Sequence, residues 1–349
     1  SEPEYIGQLV VAEFNPRQLM EDLDLEAPQT SKPDALSRMQ AETSFNGSPD
    51  QVDLTEIAIV LDDSTLKGQL TIEGFDPLQL VFDMDIDNLN LDDYSLLIEA
   101  EDAAGEDLEI EGAGLFIGSM LLFNGSGDLT IDHLVAGGLK VADLNVGVTS
   151  NAQEIRLFPI SSRFYGGQHQ GDVRVSFVAA QPVLTVNQVV TGFEVSGLLQ
   201  DLAGTARVHG TGDLYMKARA LLGSSQQARQ SLTGDMGLSV VDGVIDGVDV
   251  QGAVDKVTAL LGKGDRAAIA AEDGDRMEFA ELIVSGIIAQ GILKSDDLSL
   301  RSALVNATGK GTVNLVNETV NYVIYPMPAN ELAVQLPEDY RSMVVPVRV

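Results

Sequence analysis

Residues 277–326 read MEFAELIVSGIIAQGILKSDDLSLRSALVNATGKGTVNLVNETVNYVIYP, and this stretch decides the fold. Apolar and polar side chains alternate along it, most clearly in residues 298–300, 313–315 and 320–324. A period of two residues, bounded by Gly, Asn and Asp, is typical of short antiparallel strands with one buried face. The stretch therefore predicts consecutive β-strands joined by tight turns. The glycines that separate the runs are Gly286, Gly291, Gly309 and Gly311.

The same alternation appears far upstream, in the sequence FDMDID at residues 82–87. Side chains that are two residues apart in a strand lie on the same face of the sheet. The three apolar residues of this run are therefore predicted to face one way and its three aspartates the other. The outward carboxylates are expected to keep the strand soluble and to discourage pairing between sheet edges.

Four segments follow from the turn signals and the shifts in composition. Residues 1–35 are expected to be the end of a preceding module, with a short helix. Residues 36–111 are expected to form a first β module that ends in an acidic loop, and residues 112–222 a second β module with a similar order of strands and turns. Residues 223–349 are expected to form a C-terminal α+β segment.

Short helices are predicted at three places between the strands. Asn15 is suited to cap a helix that begins at Pro16, and a serine precedes a second helix in residues 224–232. Residues 248–261 show the clearest helical spacing of apolar side chains, and Gly262 follows as a stop signal. Residues 201–220 are interpreted as a further pair of strands separated by glycine.

Composition excludes several classes of function. The chain of 349 residues carries 53 acidic and 21 basic side chains, a formal net charge of −32. Nucleic-acid binding and adhesion to anionic lipid headgroups both need a basic surface, so neither is expected. The high negative charge favours a soluble monomer. The chain has no cysteine, which excludes disulfides and thiolate chemistry. It has no apolar stretch near the ~20 residues of a membrane-spanning helix.

Candidate metal and catalytic motifs fail on inspection. Asp83, Asp85 and Asp87 resemble the opening of a calcium loop, but Asn88 and Tyr94 stand where that loop needs Gly and Glu. The histidines lack metal-ligand spacing and are interpreted as surface residues, one of them in an exposed loop after a Gly-Gly turn. No cofactor, metal or catalytic residue is therefore expected. A glycosidase-like carboxylate pair stays open as an alternative. The histidines are His133, His169 and His209, of which His169 is the predicted loop residue.

Five sequence elements in order carry a resemblance to a known family. Residues 277–326 resemble the closing segment of the AsmA-like C-terminal domain of Gram-negative bacteria. GDMGLSVVDGVIDGVDV (234–250) and RLFPISSRFYGGQHQGDVRV (156–175) resemble two further elements of that domain. FDMDIDNLNLDDY (82–94) and FNPRQLMEDL (14–23) resemble the strand endings between its modules. The resemblance covers most of the chain from about Val10 onward.

The resemblance implies a mainly β architecture with few short helices. In it, elongated and twisted antiparallel sheet repeats form an open groove that is apolar inside and polar outside. It implies a non-enzymatic periplasmic protein that carries phospholipid between the inner and outer membranes and supports outer-membrane biogenesis. It also implies an anchor in the inner membrane, outside this sequence, so that the chain is a fragment of a longer protein. Outer-membrane components are a further candidate partner.

The apolar stripes allow two structural interpretations. Periodicity alone favours the closed core of β-sandwich modules, whereas the resemblance favours an open groove for acyl chains. A scaffold or assembly factor for outer-membrane proteins, which pairs its edge strands with a client, is the alternative function. Under the groove interpretation, the candidate lipid-lining residues are Leu70, Ile72, Leu80, Phe82, Met84, Ile86, Val173, Val175, Phe177, Leu184 and Val186.

Overall fold

The computed structural model describes residues 4–25, 27–75, 78–94, 124–247, 276–329 and 347–348. The fold is mainly β with few short helices, which confirms the predicted fold class. The strands are β1 (Tyr5–Phe14), β2 (Met39–Gly47), β3 (Gln51–Leu61), β4 (Ser64–Phe75), β5 (Leu78–Asn90), β6 (Asn124–Ala136), β7 (Leu139–Asn151), β8 (Glu154–Phe164), β9 (Gly167–Ser176), β10 (Val183–Glu194), β11 (Val208–Leu221), β12 (Thr233–Asp246), β13 (Arg276–Ala289), β14 (Ile292–Arg301), β15 (Val305–Asn314), β16 (Thr319–Pro328) and β17 (Val347–Arg348).

The helices are α1 (Pro16–Asp22), α2 (Val195–Ala203) and α3 (Ser225–Ser231), with a 3₁₀ helix at Leu91–Tyr94. Helix α1 is confirmed with its cap, because Asn15 Oδ1 accepts a hydrogen bond from the Gln18 N–H at 3.0 Å. Helix α3 is confirmed as well. The helix predicted at residues 248–261 lies outside the described residues. None of the helices in the described part of the chain combines the length and the apolar character needed to cross a bilayer.

Two predictions between residues 165 and 221 are wrong. The pair of strands predicted in residues 201–220 is the end of α2 followed by the single strand β11. Helix α2 ends at Gly204, whose φ of 66° is the left-handed conformation that glycine adopts without strain. His169 lies on strand β9 and not in an exposed loop, and its Nδ1 is 2.8 Å from the Ser162 hydroxyl oxygen.

The chain divides into two compact units. Unit 1 comprises Ser1–Phe164, His169–Val186 and Leu221–Ala228. Unit 2 comprises Tyr165–Gln168, Asn187–Ala220 and Arg229–Val349. Strands β1 to β8 belong to unit 1, and strands β11 to β17 belong to unit 2 apart from the last residue of β11.

In unit 1, consecutive strands pair from β1 to β8. The pairs are antiparallel except for β5 and β6, which are parallel, with Phe82 opposite Gly127. A β-bulge interrupts β3 at Glu56, whose φ is 54°. The bulge adds one residue, so that Leu54 before it and Ile57 after it reach the same face of the sheet.

Asp62 secures the turn between β3 and β4 in unit 1. Its carboxylate accepts hydrogen bonds from the backbone N–H groups of Leu36, Ser37 and Arg38, at 2.7–3.1 Å, and from the Tyr94 hydroxyl at 3.1 Å. Burial by itself would raise the pKa of the Asp62 carboxyl, but these hydrogen bonds outweigh burial and hold the pKa below its ordinary value. The carboxylate therefore ties two otherwise separate segments, residues 36–38 and Tyr94, to this turn.

In unit 2, consecutive strands pair antiparallel from β11 to β17. The register places Leu214 opposite Leu238, and Leu238 opposite Val284. Farther along the ladder, Gly311 lies opposite Tyr322. A bulge in β14 between Ser295 and Leu298 keeps both residues on this same face. One continuous face of unit 2 therefore carries the alternating apolar side chains of six strands.

Candidate functional site

Six of the predicted lining residues lie together on one face of β4 and β5. Leu70 is paired with Phe82 and Ile72 with Leu80, while Met84 is opposite Gly68. All six are half-buried, so water still reaches part of each side chain. The sixth of these residues is Ile86, which lies on the same face of β5.

The opposite face of β5 is acidic, as the alternation predicts. Asp83, Asp85 and Asp87 are exposed. Asp87 accepts hydrogen bonds from the Thr65 and Asn88 N–H groups. Among the described residues, no group of three or more His, Asp or Glu side chains is placed to hold one metal ion. Asp85 accepts a hydrogen bond from the Thr130 hydroxyl on β6. These aspartates therefore form a solvated surface with hydrogen bonds to neighbouring residues.

A glycine on β6 allows Phe82 to lie flat across the parallel pair. A Cβ atom added to Gly127 would stand 2.5 Å from the Phe82 ring, closer than any real side chain approaches. The ring then packs against the buried cluster of unit 1. Position 127 therefore accepts only glycine as long as Phe82 keeps this position.

Four of the five predicted lining residues of the second module lie in that same cluster or pack against it. Val175 belongs to it and is 2% exposed, and Val173, Phe177 and Leu184 pack against it. Val186 is half-buried on β10. The structure therefore brings Phe82 from the first set together with four members of the second set around a packed interior. The other cluster residues are Val146, Val148, Ile155 and Ile160.

The apolar face of unit 2 holds a cavity that the predicted lining set does not include. We call it the unit 2 cavity. Its volume is about 370 Å³, within the roughly 300–1,000 Å³ of small-molecule sites. No charged side chain lines it. The lining residues are Leu214, Met236, Gly237, Leu238, Val284, Ser285, Gly286, Leu293, Ser295, Leu298, Gly311, Val313, Val320, Tyr322 and Ile324.

The sequence contained a signal for this cavity. The alternating runs at residues 313–315 and 320–324 supply Val313, Val320, Tyr322 and Ile324 to the lining. Val320 is 54% exposed, so the cavity is open to solvent on that side. The alternation identified the apolar face of these strands, and it did not identify the unfilled volume above that face.

A short polar network reaches into the unit 2 cavity at the β14 bulge. The Ser295 and Tyr322 hydroxyl oxygens are 2.9 Å apart, and Ser295 Oγ is 3.4 Å from Asp297 Oδ1. Asp297 also accepts hydrogen bonds from the Ser285 hydroxyl and from the Ser285 N–H, the latter at 2.9 Å. The Ser285 hydroxyl contributes most to holding the pKa of the Asp297 carboxyl below its ordinary value, so this carboxylate stays charged at neutral pH.

A second, smaller pocket of about 290 Å³ opens on the other face of the same strands. Tyr215, Ile283 and Val189 line it and are 38–43% exposed, and Asp213 adds a charge to the lining. The Tyr215 ring lies over Gly237, where a Cβ would collide with it. Part of unit 2 is therefore apolar on both sheet faces.

The fold and these faces define a mainly β protein whose sheet carries an apolar cavity without charged lining residues. The sequence profile of the AsmA family matches residues 124–298, about half of the chain, and the chain belongs to the AsmA family. The match begins at the first residue of β6, the strand that forms the parallel pair. No curated protein and no solved structure matches the chain.

Proposed function

We propose that this protein binds lipid acyl chains in apolar sheet surfaces and passes phospholipid between membranes, without covalent chemistry. Membership of the AsmA family suggests a role in outer-membrane assembly or lipid transport, and proteins of this family are generally associated with the cell envelope. The finer proposal is transfer of phospholipid through the periplasm between the inner and outer membranes. It includes an anchor of the intact protein in the inner membrane.

The observation that carries the proposal is the unit 2 cavity. Its lining consists of apolar side chains, glycines and a few hydroxyl groups. A charged or strongly polar ligand would lose its hydration there without gaining partners of opposite charge. An acyl chain loses no hydrogen bonds on entry and removes apolar surface from water. The cavity therefore favours hydrocarbon over other ligands.

The energetics of such a site suit transfer better than storage. Each buried CH₂ group contributes about 0.8 kcal/mol, so a chain with part of its length buried is held by several kcal/mol. This attraction is non-directional, and a chain can shift by one CH₂ group without breaking a specific contact. The half-buried residues Leu70, Leu80 and Met84 provide a similar surface in unit 1.

Lipid analysis with a matched pair of variants tests the proposal. Val320→Asp places a carboxylate in the cavity lining at a position that is already 54% exposed, so the fold should tolerate it. Asn321→Asp adds the same charge on the opposite face of β16. We expect mass spectrometry to find phospholipid with the purified wild-type protein and with Asn321→Asp, and several-fold less with Val320→Asp.

Two results would contradict the proposal. One is a wild-type protein that neither retains phospholipid nor takes it up from vesicles. The other is a folded Val320→Asp variant that retains as much lipid as Asn321→Asp, since the cavity would then not hold the ligand. Circular dichroism spectra of both variants establish that each is folded.

A scaffold for outer-membrane proteins is the second candidate, and strand β1 favours it. Tyr5, Ile6, Leu9 and Val10 are 57–79% exposed, so both faces of this strand present apolar side chains to solvent. Exposed apolar patches often mark protein contacts. A polypeptide that copurifies with the wild-type protein and is lost on Ile6→Ser with Val10→Ser would support this candidate. Lipid in the same preparation would support the transfer proposal.

A further inference from the structure

Two hydroxyl groups meet within the lining of the unit 2 cavity. Ser295 is buried on β14, and its Oγ is 2.9 Å from the hydroxyl oxygen of Tyr322 on β16. Both residues line the cavity, whose other lining residues are apolar or glycine except for Ser285. This hydroxyl pair places polar groups in the cavity wall, and the hydrocarbon part of an acyl chain forms no hydrogen bond with them.

The two hydroxyls carry one hydrogen more than their mutual bond uses. Ser295 Oγ lies 3.4 Å from Asp297 Oδ1, which is long for a hydrogen bond between oxygens. Asp297 has closer donors in the Ser285 N–H and hydroxyl groups. Either hydroxyl of the pair can be the donor. When Ser295 donates to Tyr322 in place of Asp297, the Tyr322 O–H is available to a ligand in the cavity.

We propose that Tyr322, held in place by Ser295, donates a hydrogen bond to the ester carbonyl of an acyl chain bound in the unit 2 cavity. This inference rests on the proposed lipid-binding function. An ester carbonyl is an acceptor without hydrogens, so it complements a lone O–H donor. Its entry gives the Tyr322 O–H an acceptor while Ser295 donates to the Tyr322 oxygen, so both hydrogens of the pair are used, which a pure hydrocarbon ligand cannot achieve.

The surrounding charges favour an ester over a free carboxylate. Asp297 is negatively charged and lies within 3.4 Å of Ser295, and the lining has no basic side chain to offset a second negative charge. Like charges at such separations repel strongly where water is partly excluded. A glycerolipid ester therefore fits this point better than an ionised fatty acid.

The hydrogen bond would give a bound chain a preferred position along the cavity. A single neutral hydrogen bond is weak in net terms, so it fixes this position without trapping the lipid. Tyr322 is then a specificity-determining residue, and Ser295 is a positioning residue that acts through it.

Calorimetric titration with paired lipids tests the inference. The probes are a diester phosphatidylcholine and its diether analogue with the same chains, which differ at the carbonyl groups, and palmitate, an ionised fatty acid. We expect the wild-type protein to bind the diester about threefold to tenfold more tightly than the diether, the ratio that one ordinary hydrogen bond provides. Tyr322→Phe should bring the diester to the diether affinity and leave the diether affinity unchanged.

The control is Tyr325→Phe, which removes a hydroxyl from the opposite face of the same strand and should keep the ester preference. Ser295→Ala should reduce the preference partly, and it serves as the second variant if Tyr322→Phe does not fold. A Tyr322→Phe variant that keeps the full ester preference overturns the inference. Palmitate that binds as tightly as the diester, and weakens on Tyr322→Phe, overturns the assignment to an ester.

The outcomes separate the two proposals. Equal wild-type affinity for diester and diether overturns the role of Tyr322 and leaves lipid binding in place. Failure of the wild-type protein to bind either phosphatidylcholine overturns the proposed function itself.

Discussion

One group of apolar side chains in unit 1 closes into a packed cluster, whereas one apolar face of unit 2 carries a cavity. In unit 1, Val148 is 1% exposed and Ile155 is 3% exposed. In unit 2, Val320 lies on the apolar face of the sheet and is 54% exposed. Both regions show the same alternation of apolar and polar residues. Alternation therefore sets which face is apolar and does not set whether that face is filled.

The size of the facing side chains explains the difference. In unit 2, Gly286, Ser295 and Gly311 occupy positions on the cavity face, and the side chains of Leu293 and Tyr322 lie over the two glycines. In unit 1, the buried cluster is built from valine and isoleucine side chains. The volume above the apolar face of unit 2 therefore stays open to solvent at Val320.

The largest effect should come from truncating the closed cluster. Ile155→Ala should lower the free energy of unfolding by about 2–5 kcal/mol, because it removes a fully buried side chain and leaves a void. Ile324→Ala in the unit 2 cavity should cost only about 1 kcal/mol, since the side chain is half-buried and borders space. Urea unfolding monitored by circular dichroism measures both.

The two isoleucines form a matched pair, because the chemical change is identical and only the packing differs. Equal losses of stability would mean that the two regions are packed alike, and the contrast between cluster and cavity would be wrong.

A smaller effect is expected at the glycine beside Phe82. Gly127→Ala should destabilise the protein by about 1–3 kcal/mol, because the new methyl group would collide with the Phe82 ring and backbone. Gly47→Ala is the control, since its nearest neighbours would lie 3.8 Å from the added Cβ. That substitution should change stability by less than about 1 kcal/mol. Thermal unfolding of the two variants distinguishes a specific collision from a general cost of alanine in strands.

The smallest effect concerns acid sensitivity at the Asp62 turn of unit 1. The folded-state pKa of Asp62 is depressed, so its contribution to stability is present above the unfolded pKa of about 3.9 and is lost as pH falls through the folded value. Asp62→Ala should cost about 1–2 kcal/mol at pH 7 and less below pH ~4. Burial and the Asp62 charge raise the pKa of Tyr94 to about 12.

Ultraviolet titration of the tyrosines provides an independent check of this turn. The Tyr94 pKa should fall in Asp62→Ala, because a neighbouring negative charge and a hydrogen bond are removed. A variant whose stability loss does not depend on pH would show that Asp62 acts through packing and not through its charge.

Much of the fold was predictable from local patterns. The strands from β13 to β16, helix α1 with its Asn15 cap, and the outward aspartates of β5 follow from periodicity and turn residues. Helix α2 was missed, although Val195, Leu198 and Leu202 recur at helical spacing and Gly204 follows as a stop signal. The prediction for residues 201–220 treated glycine as a separator of two strands, whereas Gly204 ends a helix.

The parallel pairing of β5 with β6 had no local signal. Alternation is the same in parallel and antiparallel strands, so it leaves the direction of a neighbour open. The position of His169 was missed for a related reason, because the turn before it was taken to extend into a loop. Its hydrogen bond to Ser162 joins two strands, and such a contact depends on register.

The sequence by itself determined the class of fold and the apolar face of each strand, because both depend on the chemistry of residues one or two positions apart. The tertiary structure decided which strands pair in parallel, which apolar side chains close around Val148 and which border an open cavity. Those outcomes depend on the summed volumes of side chains that come from distant parts of the chain. Gly286 and Gly311 create space only because strand pairing places them on one face with Leu293 and Tyr322.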